Sequence, residues 1–249
     1  MDSEDFQQIA LDSNQTGILL DLDLMRFGEG VLDDRPFFDY FVLLNNCGNS
    51  KILSQMNSEF DYPAIKAFYK EKAPQILASV PSTLTVRIPG PSLGVYGPAT
   101  ASFPWRLSGG AAWNNASGTG PFKLNYLSLL SSRVSRCIGG VRRYGSTIFN
   151  KRSGDWPVYQ VMFPTLTFAS LPMNEEAAKK YVESLGPREV RMTSFILSIE
   201  ILPQSPQLKE IDAPMTRYAR ELQVTFAGQV KKVTVVSGKG EPLAEFPVP

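Results

Sequence analysis

Residues 174–202 read NEEAAKKYVESLGPREVRMTSFILSIEIL, and this stretch decides the fold class. Asn174 is a residue type that caps helices, and Glu175 and Glu176 follow at the helix's positive end. Gly186-Pro187 is a stop, so the spacing predicts a helix through Leu185. From Val190 to Leu202 the period changes. Phe195, Leu197, Ile199 and Ile201 alternate with other residues, as in a strand with one buried face. A helix inserted between strands of this kind points to an α+β protein.

Working outward, Val158–Phe168 and Phe122–Leu130 also read as strands, as does Thr83–Ile88. Glu221–Phe226 and Val230–Val236 flank Ala227-Gly-Gln229, whose length suits a hairpin loop. Gln229–Lys239 and the Pro-rich end are expected at the edge and tail of a sheet. Before Pro81 the period is helical. Asp33 or Asp34 caps a helix with Pro36 in its first turn, carrying Phe37, Phe38, Tyr40, Phe41, Leu44 and Cys47 and stopping at Gly48. A short helix is expected over Ser50–Asn57. Another opens at Asp61-Tyr-Pro63, with Pro74 predicted to kink it. Residues 1–30 read as irregular. Within them, Asp21-Leu-Asp23 resembles the start of a calcium loop, but Met25 and Gly28 do not continue it, and an extended segment is expected. The expected organisation is a helical region over 1–80 and a mostly antiparallel β-rich region over 81–249, packed together as one unit.

Composition excludes several function classes. The 249 residues include 43% apolar and 20% charged residues, enough for a hydrophobic core. No apolar run approaches the roughly 20 residues of a membrane span. There is no histidine, so the chain lacks the commonest general base and transition-metal ligand. With two cysteines, Cys47 and Cys137, a four-cysteine zinc site is impossible. No phosphate-cradling or nucleophile-elbow glycine motif is present. No cofactor and no metal are expected, and catalysis is disfavoured. The cysteines are either reduced and buried or joined in a disulfide. The bond would close a loop of about 90 residues, contributing about 4 kcal/mol in the chain-entropy model.

Charge is strongly polarised along the chain. Lys72–Gly154 holds ten cations and no acid, whereas residues 1–71 hold 13 acids and five bases. Within the basic stretch Arg133, Arg136, Arg142, Arg143, Lys151 and Arg152 form the densest cluster. An anionic partner would suit it, arginine's fork matching phosphate. The pI near 7.7 disfavours nucleic acid. The alternative is neutralisation within the chain by Asp33, Asp34, Asp39, Glu59 and Asp61. Trp105, Trp113 and Trp156 fall in or beside Gly/Pro-rich loops. They either form a binding platform or plug the ends of sheets.

Two sets of residues resemble families of exported bacterial proteins of unknown function. One is Tyr40-x6-Cys47 with Ser58-Glu-Phe-Asp-Tyr62 and Ile65. The other is Pro172-Met-Asn-Glu-Glu-Ala-Ala, Tyr181-Val, Arg188-Glu-Val190 and the strand to Ile201, together with Gly238-Lys-Gly-Glu-Pro-Leu243. The resemblance implies a helical front piece before a β-rich domain, and export to the periplasm or cell envelope as a mature form. It carries over no catalytic residue. Residues 1–15 are acidic rather than basic, so the alternative is a cytoplasmic protein. The resulting expectation is a non-catalytic binding or structural module of the bacterial envelope, with an envelope protein or glycan as partner. One alternative is a carboxylate-based enzyme acting on glycans, its tryptophans stacking on sugar. Another is an anion- or nucleic-acid-binding protein acting through 133–152.

Overall fold

A computed structural model of the chain describes residues 13–46, 49–107, 118–130, 158–185, 191–212 and 220–248. It is an α+β protein, helical before Pro81 and β-rich after it. The helices are α1 (Ser13–Phe27), α2 (Arg35–Asn45), α3 (Ser50–Asn57), α4 (Tyr62–Ala78) and α5 (Glu175–Ser184). The strands are β1 (Thr83–Pro89), β2 (Ser92–Leu93), β3 (Ser102–Leu107), β4 (Gly118–Thr119), β5 (Phe122–Leu130), β6 (Val158–Phe168), β7 (Ser170–Pro172), β8 (Thr193–Ile201), β9 (Gln207–Asp212), β10 (Arg220–Ser237) and β11 (Pro242–Phe246). Strands β1-β8-β10-β6-β5 form one sheet in that order, with β9 and β11 also on β10. Strands β2-β3-β4, with β7 on β3, form a second. The pairs β2–β3, β3–β4, β3–β7, β9–β10 and β10–β11 are antiparallel.

The chain divides into two compact units that interleave in sequence. One comprises Met1–Leu84, Leu127–Val161 and Ile201–Ala227, and the other Thr85–Tyr126, Met162–Glu200 and Gly228–Pro249. Strands β1, β5, β6, β8 and β10 each contribute residues to both.

In the first unit, Phe38, Val42 and Leu43 of α2 pack with Ile52 and Met56 of α3, and Tyr62, Ile65 and Tyr69 of α4 close over them. Asp34 occupies the N-cap position of α2 but makes no side-chain cap bond. Helix α4 runs on past Pro74 to Ala78. In the second unit, Trp105, Phe122, Phe168 and Phe195 form an aromatic core with ring centroids 5.1–6.4 Å apart. Strand β8 buries every second residue from Thr193 to Ile201, the alternation read from its sequence. Asn174 caps α5 by accepting from the Ala177 N–H at 2.8 Å.

Three expectations are corrected. Residues 13–27 are not irregular or extended but form α1. The hairpin at Ala227-Gly-Gln229 does not exist. Strand β10 runs unbroken for 18 residues, with β9 pairing Arg220–Thr225 and β11 pairing Val233–Val236. Gly228 is buried within β10 and has no positive φ. The Ala227 carbonyl accepts from the Leu202 N–H at 2.9 Å, so the backbone there is held in place instead of turning. Nor is Gln229–Lys239 a sheet edge, because β10 lies between β8 and β6. The true turn follows, at Gly238–Gly240, where Gly240 adopts φ +90° and donates to the Ser237 carbonyl.

Candidate functional site

Helix α1 is buried on all sides. Leu19, Leu20, Leu22, Leu24 and Met25 are buried, and so are Thr16, Asp21 and Asp23. Each buried leucine contributes about 1.5–3 kcal/mol by leaving water. The two acids oppose this, in different ways. Asp21 is hydrogen-bonded: Tyr40 of α2 donates its hydroxyl to one oxygen at 2.9 Å, and Tyr159 of β6 donates to the other. Burial, then the Asp21 carboxylate, holds both tyrosines well above the usual phenol range, so both remain donors. Asp23 is fully buried, and among the described residues neither of its oxygens finds a hydrogen-bond partner. Burial raises it to about 7, against the lowering pull of Arg26.

Arg26 lies one turn further along α1. It donates to the Val80 carbonyl at 3.0 Å, and its guanidinium sits 4.8 Å over the Phe27 ring. The helix ends just beyond it, where the Gly28 N–H donates to the Leu24 carbonyl at 2.7 Å. A Cβ on Gly28 would stand 2.6 Å from that oxygen and from Val31, so only glycine fits this tight exit.

The exit of α1 opens onto a groove of about 520 Å³ in the first unit. Met25, Leu32, Phe38, Ala73, Pro74, Leu77 and Ala78 line it, together with the charged Arg26, Asp33 and Lys70. Lys70 and Asp33 pair at 2.6 Å, with side chains 44% and 73% exposed. The hydrogen bond from Lys70 and then its charge hold Asp33 below the usual carboxylate range. Nearby, Asp39 of α2 accepts from the Tyr62 hydroxyl at 2.7 Å and pairs with Arg35 at 3.4 Å. Burial and Asp39 push Tyr62 up to about 12.

A smaller cavity of about 330 Å³ lies in the second unit, beside Tyr181, Ser184, Leu185, Met192 and Ser237–Lys239. Lys239 crosses it to donate to the Ser184 carbonyl at 2.8 Å.

Of the residues singled out from sequence, Trp105 is completely buried against Phe122 and Phe195. Its surroundings supply the packing role and leave no ring face to a ligand. Trp113, Trp156, Arg133, Arg136, Arg142, Arg143, Cys47 and Cys137 lie outside the described residues. Asp33 and Asp39 pair with Lys70 and Arg35, cations that precede the basic stretch. No group of three or more acidic or cysteine side chains placed to hold a metal occurs among the described residues. No helix among them is long and apolar enough to cross a membrane.

Sequence reasoning missed the groove because it missed α1. As a strand, Leu20, Leu22 and Leu24 would share one face and Asp21 and Asp23 the other, a plausible half-buried pattern. As a helix, residues two apart point about 200° from each other, so each acid enters a different side of the core. The available signal was the length of the run from Ile18 to Met25 together with Arg26 in its last turn and Gly28 as a stop. The chain matches no protein-family model, no curated protein and no solved structure.

Proposed function

We propose that the chain is a non-catalytic binding module whose ligand occupies the groove between α1, α2 and α4. The observation that carries this reading is the groove itself. Its size falls within the range of ligand sites, and its walls are mainly apolar with a few charged side chains, the usual composition of such sites. The buried acids of α1 suit binding better than chemistry. Asp21 is tied to two tyrosines, and Asp23 lies out of contact with solvent. A glycan-cleaving pair would need two carboxylates facing one another across an open cleft.

Export to the cell envelope is the setting we propose for this module. Its support is the resemblance of the Tyr40–Ile65 and Pro172–Leu243 residues to exported bacterial families.

The test is saturable binding of the neutral dye Nile red to the full chain and to Ala78→Phe. Ala78 lines the groove yet is exposed, so the added ring blocks the groove without entering the core. Loss of most dye affinity in the variant is the expected result. Equal binding by both proteins would remove the groove as the site.

A further inference from the structure

We propose that the occupant of the groove is a single-chain amphiphile with an anionic head, its head meeting Arg26 and Lys70 and its chain lying on Met25, Phe38 and Leu77. This rests on the binding reading above and adds the ligand's chemistry.

The charges decide the sign of the head. Two cations and one acid line the groove. The acid, Asp33, is bound to Lys70 by a pair exposed on both sides. An exposed pair of this kind is weak, so an incoming anion displaces Asp33 at little cost. Arg26 is more firmly placed. Its bond to Val80 and its seat over Phe27 fix the guanidinium, and the bond to Val80 occupies one of its five N–H donors. The remaining fork suits a carboxylate, sulfate or phosphate oxygen pair. Asp23 is the buried acid that acts on Arg26, and burial favours its neutral form below neutral pH. Among the described residues no carboxylate then forms an ion pair with the guanidinium.

The walls decide the tail. Met25, Phe38 and Leu77 are buried residues that line the groove together with the small Ala73. Methionine's unbranched side chain adapts to a flexible alkyl chain. A polar head with no tail would leave this apolar surface unfilled, and an apolar molecule with no head would leave Arg26 facing it unmatched.

The experiment compares three ligands of equal chain length at pH 6, each below its solubility or micellar limit. They are dodecanoate, dodecanol and dodecyltrimethylammonium, measured by calorimetry on the full chain. Dodecanoate is expected to bind at least about tenfold more tightly than the other two, since one charge-assisted contact contributes about that factor. Lys70→Ala is expected to weaken dodecanoate several-fold and leave dodecanol unchanged. Asp33→Ala is expected to tighten dodecanoate, because it frees Lys70. Equal or stronger binding of the neutral or cationic ligand, still blocked by Ala78→Phe, overturns the anionic head and leaves the groove as a binding site. Binding of all three that ignores Ala78→Phe overturns the groove reading and this inference with it.

Discussion

Helices α1 and α5 are opposite answers to where a helix belongs. Helix α5 buries Ala178 and Tyr181 on one face and holds its charges outward. Glu175 pairs with Lys179 and Glu176 with Lys180, each at 2.9 Å and one turn apart. Its cap is satisfied by Asn174. Helix α1 turns apolar residues in every direction and takes two aspartates into the core with them. A surface helix writes its burial into a period of 3.6, whereas a helix buried all round has no polar face to contrast with an apolar one. The acids of α1 therefore say nothing of exposure. Asp21 depends on a partner far along the chain, Tyr159 of β6, 138 residues away.

The largest effect expected from this contrast is at Asp23. Its value in the folded protein, about 7, exceeds the 3.8 of a free carboxyl. Folding therefore binds a proton between those values. Well below 3.8 both states are protonated and the group imposes no charge penalty. As pH rises toward 7 the unfolded chain ionises first and stability falls, levelling off above 7. The total is on the order of 4 kcal/mol. Urea unfolding of the wild type and Asp23→Asn from pH 4 to 8 should show the variant gaining relative stability as pH rises. Parallel profiles would mean that Asp23 is solvated and that α1 is not a core helix at that point.

Next in size is Tyr159→Phe, which removes one of the two phenol donors to the buried Asp21. Leaving a charged group short of a donor costs about 1.5–3 kcal/mol, read as a lower urea midpoint. Tyr40→Phe should cost a similar amount. The double variant should cost less than the sum, if Asp21 takes up a proton once both donors are gone. The smallest is Asn174→Ala in α5, about 1 kcal/mol through loss of the cap, with no dependence on the pH range that moves Asp23. A cap variant more damaging than the Tyr159 variant would invert the ranking of the two helices.

The same contrast explains what the sequence made legible. The strands β5, β6 and β8 appear where their periods place them, and helix α5 where its cap and stop place it, because each has one buried and one open side. The two misreadings share a cause. At α1, apolar residues on all sides and a pair of acids two apart mimic a half-buried strand. At β10, Ala227-Gly-Gln229 has the composition of a turn, yet neighbouring strands occupy both sides of β10 and keep its backbone extended. Trp105 was legible as an aromatic beside a loop, but whether it faces out or in depends on Phe122 and Phe195, from distant strands. The groove was illegible for the same reason. Met25 and Arg26 reach it from a helix that the local pattern hides, and Lys70 meets Asp33 only through the fold.

Each helix also has a cavity beside it, the groove at α1 and the smaller cavity at Tyr181 and Ser184 of α5. Photolabelling with a dodecanoate carrying a diazirine near its terminal carbon, followed by peptide mapping, decides between them. Label on peptides containing Met25, Leu32 or Leu77, and suppressed by excess dodecanoate, is the result expected for a binding module built on α1. Label confined to peptides containing Tyr181, Leu185 or Met192 would contradict it.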